Sequence, residues 1–108
     1  NGYINEIGSA LNVKPNRVSL RWMKRRWGSC SYKGHIILNK KLKFLPRELI
    51  RYVIAHEMCH LFVHNHKKEF WILLKKLCPD FKNYQKLLAS YEILIEVKLR
   101  TKETYAMD

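Results

Sequence analysis

The stretch His56-Glu57-Met58-Cys59-His60 constrains this chain more than any other. On an α-helix, residues four apart lie above one another on one face, so His56 and His60 present two imidazoles to a single point. Glu57 lies about 100° further round and is aimed beside that point rather than at it. Two nitrogen ligands fixed by one helical turn, with a carboxylate in reach of ion-bound water, are what a zinc hydrolase needs. A histidine pair can also be two core imidazoles bonded to backbone carbonyls. Placing two histidines and a carboxylate beside so much apolar surface is costly without a partner, which favours the ion.

That surface comes from the same helix. Leu49, Ile50, Val53, Ile54, Leu61 and Phe62 keep helical spacing through both histidines, from Pro46, suited to a first turn, to Asn65, which tolerates a helix end. Two histidines compete for the third ligand position. His64 continues the helix face, but three ligands on one straight helix spread over about 12 Å and cannot surround an ion. His66, arriving from the next element, closes the set and leaves a fourth position for water. Zinc held this way makes a nucleophilic water available near neutral pH, and Glu57 is the expected general base. Arg25, Arg26, Tyr52 and Asn39 are candidates to stabilise the oxyanion.

Around this helix the pattern predicts an α+β domain. Ile4, Ile7 and Leu11 suggest a short amphipathic helix ended by Pro15-Asn16. Val18, Leu20 and Trp22 alternate with Arg17, Ser19 and Arg21, as on a strand with one face buried. His35–Asn39 reads as a second strand after turn chemistry at Ser31-Tyr32-Lys33-Gly34, and the two strands together predict a β-hairpin. Beyond the histidines, Phe70, Leu73, Leu74 and Leu77 form the stripe of another helix, closed by Pro79. Asp80 is placed to cap one more, carrying Tyr84, Leu87, Leu88 and Tyr91. Residues 93–99 fit strand and helix alike.

The chain's 108 residues suffice for one modest core, so 1–108 is expected to be a single domain, and its start at Asn1 rather than Met suggests a fragment of a longer chain. No apolar run approaches a membrane span. Cys30, Cys59 and Cys78 contain no C-x-x-C pair and read as buried free thiols in a reducing, cytoplasmic compartment. The net charge of +12 is uneven: twelve of the 21 Lys and Arg residues fall between Lys14 and Arg51, where Glu48 is the sole acid. That half favours a polyanion or an acidic polypeptide as partner, or is simply a solvated basic face.

Arg26-Trp27-Gly28-Ser29-Cys30, Ile37-Leu38-Asn39, Leu42, Pro46, Tyr52-Val53-Ile54 running into His56–Leu61, and Asn65-His66 with Phe70-Trp71 together resemble the YgjP-like zinc metallopeptidase domain. That family is related to the SprT and WLM peptidases, and the resemblance runs from about Arg17 to Phe81. It implies a minimal, gluzincin-like zincin fold: a small antiparallel sheet or hairpin packed on an active-site helix, with two or more further helices. It also implies zinc on His56, His60 and His66, Glu57 as catalytic base, and a strand near Trp27-Gly28-Ser29 on which a protein or peptide substrate adds in extended form. Lys67 stands where members often have Ser after the Asn-His pair. Relatives of the SprT type cleave proteins crosslinked to DNA, so the alternative expectation is a DNA-associated basic module, with nucleic acid bound through residues 14–51 and the metal site structural, weakly active or DNA-stimulated. A purely structural zinc fits least, because such sites usually have four protein ligands.

Overall fold

The computed structural model describes residues 2–107, with side chains over residues 2–98. In chain order come α1 (Gly2–Leu11), β1 (Arg17–Arg21), β2 (Gly28–Cys30), β3 (His35–Asn39), a 3-10 turn (Lys40–Phe44), α2 (Arg47–Cys59), α3 (Lys68–Leu77) and α4 (Phe81–Met107). This is the expected α+β architecture. The segment that fitted either periodicity is helical and belongs to α4. Helix α1 stops before the proline: Asn12 takes a left-handed φ of 54° and turns the chain at once.

The expected hairpin forms around the turn at residues 31–34, but its first strand is β2 rather than β1. The sheet order is β1-β3-β2, and the antiparallel partner of β3 is β2, paired Gly28↔Leu38, Ser29↔Ile37 and Cys30↔Ile36. Strand β1 runs parallel to β3, with Val18 beside Ile36 and Leu20 beside Leu38. Side-chain anchors invisible to periodicity impose this. At one end the Asn16 amide donates to the Lys33 carbonyl, and its backbone N–H donates to Gly34 at 2.9 Å. Gly34 takes a φ of 79° in that turn, which a Cβ would oppose. At the other end residues 22–27 cross over the tip of β3, where Asn39 Nδ2 donates to the Met23 carbonyl at 2.8 Å and the Arg26 carbonyl at 2.6 Å.

The apolar side of β1 is not buried either. Leu20 is 62% exposed and Trp22 55%, and β1 is an edge strand of the sheet. Burial is concentrated instead on β3, through Ile36 and Leu38, and on α2, through Leu49, Tyr52, Val53, Ile54, Ala55, Met58 and Cys59. Helix α2 packs against α1, α3, α4, β2 and β3, so the histidine-bearing segment is the central strut. It ends at Cys59 rather than near Asn65, with His60 as its C-cap in αR geometry. Residues 61–67 are thereby freed to loop back over it.

Asn39 is 2% exposed, and its Oδ1 also accepts from the Lys41 N–H at 2.9 Å. Asn39→Ala strands two carbonyls and an N–H that water reaches poorly, so a loss of roughly 2–3 kcal/mol is expected in denaturant unfolding.

Candidate metal centre

His56 and His60 project from successive turns at the end of α2, and the loop after it brings His66 between them. The His66 Nε2 lies 3.2 Å from the Nε2 of His56 and 3.2 Å from that of His60. All three ligand atoms fall within 4.8 Å of one another. A tetrahedral ion with nitrogen bonds of about 2.0–2.1 Å holds its ligands about 3.3–3.4 Å apart, a spacing that both separations to His66 approach. The His60 Nδ1 sits 2.9 Å from the Val63 carbonyl, which makes it the N–H of the ring and leaves the Nε2 lone pair facing the other two.

Aromatic packing fixes the rings. Phe70, fully buried in α3, lies under all three: stacked on His60 at 4.4 Å between centroids, and edge-on to His56 at 4.9 Å and His66 at 5.0 Å. Trp71 stacks on the His66 ring, and its Nε1 donates to the His66 carbonyl at 2.8 Å. Asn65 accepts from the Lys67 N–H at 3.0 Å just before α3 begins. Burial holds the His56 pKa down at about 4, helped by the neighbouring His60 and His66, and burial also lowers that of His60. Both rings are therefore neutral near pH 7, the form that binds a metal.

Glu57 is 7% exposed, and burial pushes its carboxyl up to about 7 against the opposing pull of Arg26. It lies against β2 so closely that a Cβ on Gly28 would sit 2.9 Å from its Cγ and 3.2 Å from its Oε2. Gly28→Ala is therefore expected to displace the carboxylate, costing about 1–3 kcal/mol of stability and a larger share of activity, read by unfolding and by turnover. Ser29 and Cys30 continue this wall, so β2, Glu57, the three imidazoles, His64 and Arg26 enclose a hollow of about 400 Å3. Cys30 thus borders the site as well as packing against the core, and its thiol is raised to about 11 by burial and by Glu57. On the other side of Glu57 a smaller hollow of about 220 Å3 is walled by Trp27, Tyr52, Val53 and Leu88.

The structure thus gathers four of the residues singled out from sequence and sets others aside. His64 is exposed at the rim and packs at a tilt against Tyr32, 4.4 Å between centroids, outside the three-nitrogen group. His35 is bonded to Ser19 Oγ at 2.9 Å within the sheet. Of the oxyanion candidates, Asn39 is committed to backbone, Tyr52 is bonded to Gln85 and held at about 12 by burial, and Arg25 lines a neighbouring hollow. Arg26 alone reaches the cleft as a charge. Two contributions were missed: Gly28, placed by the resemblance on a strand beside the cleft but not as a spacer against Glu57, and Leu88, whose helical stripe predicted only packing.

An α+β domain that converges three imidazoles and a buried carboxylate on an open cleft has the architecture of a metallopeptidase. The sequence profile of the YgjP-like, metallopeptidase domain family matches residues 1–91, and the chain belongs to that family. Its fold is similar to that of the metallopeptidase zymogen abylysin of Pyrococcus abyssi, with a TM-score of 0.76 and 23% identity over 83% of this chain and 91% of that one. The metallopeptidase zymogen jannalysin of Methanocaldococcus jannaschii is similar at a TM-score of 0.65 and 30% identity, over 80% of this chain and 94% of that one. Among curated proteins no match is found. No helix among the described residues is long and apolar enough to cross a membrane.

Proposed function

We propose that this chain is a zinc-dependent endopeptidase in which His56, His60 and His66 hold the ion and Glu57 is the general base. The convergence of the three Nε2 atoms beside a buried carboxylate carries the proposal. Bound zinc supplies a Lewis acid and a water acidified towards neutral pH. Glu57 takes the proton of the attacking water and passes it to the leaving amine, a task suited to a carboxyl that titrates near 7. The free edge of β2 offers backbone N–H and C=O groups to an extended substrate beside the cleft. Residues 1–108 act as one domain, and three free thiols suit a reducing cytoplasm.

The test is a disordered protein substrate with chain of measured metal content. One zinc per chain is expected, with cleavage abolished by chelation and restored by zinc. Cleavage that survives complete metal removal overturns the proposal. A second reading adds nucleic acid along the exposed Arg17, Arg21, Lys24 and Arg25, in a stretch with no acid between Glu6 and Glu48. It requires DNA affinity that falls steeply between low and moderate salt, and a flat salt response rejects it.

A further inference from the structure

The two hollows that meet at Glu57 share one cation. Arg26 lines both, and it is the sole Lys or Arg in either lining. Its backbone is fixed: its carbonyl accepts from Asn39 Nδ2 at 2.6 Å, and the adjoining Trp27 donates from Nε1 to Glu92 of α4 at 2.6 Å. Its head is uncommitted. Among the described residues no hydrogen bond or ion pair holds the guanidinium; its charge acts on the buried Glu57, and Glu92, whose Oε1 is taken by Trp27, and Glu96 line an adjoining hollow with it. A guanidinium carried on an anchored backbone and open beside a reaction site can take a planar anion through two parallel hydrogen bonds. In that adjoining hollow Lys24, Arg25 and Lys41 outnumber Glu92 and Glu96 and leave the surface positive. An approaching acidic segment is steered to this end of the cleft.

We propose that Arg26 is the carboxylate-binding residue of the cleft and selects peptides that carry an acidic side chain, or their own C-terminal carboxylate, close to the scissile bond. Its description as substrate selection rests on the peptidase reading above, whereas carboxylate binding stands without it. A charge-assisted pair of this kind is expected to give about 10–100-fold discrimination between Glu and Lys peptides.

The experiment uses peptides identical except for Glu, Gln or Lys at each position flanking a cleavable bond, each with a free and an amidated C-terminus. Binding is read by fluorescence anisotropy on the full metal-free chain, and cleavage by mass spectrometry on the zinc-loaded chain. Glu peptides are expected to bind and to be cleaved about 10–100-fold better than Lys peptides. Amidation leaves that preference intact if the side chain is the ligand and removes it if the C-terminus is. Arg26→Glu reverses the order, Arg26→Lys keeps a weaker preference, and Arg25→Glu, an equal change of net charge outside the two hollows, preserves it. Equal binding of Glu and Lys peptides, or a preference that Arg25→Glu erases as fully as Arg26→Glu, overturns the assignment. A uniform fall in cleavage of all peptides with Arg26→Glu also overturns it, since it marks a role on the reacting atoms. Acid-selective binding that Arg26→Glu reverses, without cleavage of any peptide, supports Arg26 and overturns the peptidase reading instead.

Discussion

Glu57→Gln is expected to lower kcat/KM on a disordered protein substrate by about 10³-fold or more while leaving one zinc bound per chain. The amide matches the carboxylate in shape, keeps the contact with Gly28 and leaves the three imidazoles in place, but it cannot accept a proton. Positioned general bases contribute roughly 10²–10⁴-fold, and in the proposed mechanism the same group serves both the attack and the departure of the amine. The substitution has a second, opposite signature in stability. The carboxyl titrates near 7 in the fold against 4.5 ordinarily, so between those values the folded state holds a proton that the unfolded chain has released. Stability contributed by Glu57 is therefore full below about pH 4.5 and declines as pH rises to about 7, by about 3 kcal/mol. Metal-stripped Glu57→Gln is expected to be the more stable protein at pH 8 and equal to the parent at pH 4, which denaturant titration at the two pH values measures. Activity within threefold of the parent would remove Glu57 from the mechanism.

The reasons for that pairing of lost activity and gained stability were partly legible beforehand. His56, Glu57 and His60 follow from helical spacing, and His66 from the need for a ligand off the helix axis, because both are local or short-range geometry. The sheet was not legible in the same way. Val18, Leu20 and Trp22 alternate as a buried strand does, yet what decides their exposure is that β1 falls on an edge, a fact of topology carried by Asn16 and Asn39 through partners 17 and 16 residues away. Likewise the end of α2 at Cys59 overrides the apolar spacing of Leu61 and Phe62. The Val63 carbonyl that orients His60, and the turn that returns His66, both depend on the helix stopping early. Gly28 carried no periodic signal at all, because its role is the absence of an atom beside a residue 29 positions away.

His66→Ala is expected to reduce zinc affinity by more than the roughly 10–100-fold that loss of an outer partner costs, and to abolish turnover, while His64→Ala retains both. The two histidines lie two residues apart in one exposed loop, so the comparison holds composition and local environment nearly constant. What differs is direction: the His66 Nε2 lies 3.2 Å from both helical imidazoles, whereas the His64 ring faces Tyr32. Removing His66 leaves two ligands and too few bonds to hold the ion against water. The fold should survive, because the loop is exposed and its carbonyl still accepts from Trp71. Unfolding of metal-free His66→Ala within about 1 kcal/mol of the parent is expected, in the range of ordinary surface changes. His60→Ala is the contrasting case, since that ring is 8% exposed and stacked on Phe70, so its loss costs packing as well as the metal. Zinc retained by His66→Ala at parental affinity, with activity lost only in His64→Ala, would transfer the third position to His64 and require the loop to rearrange on binding.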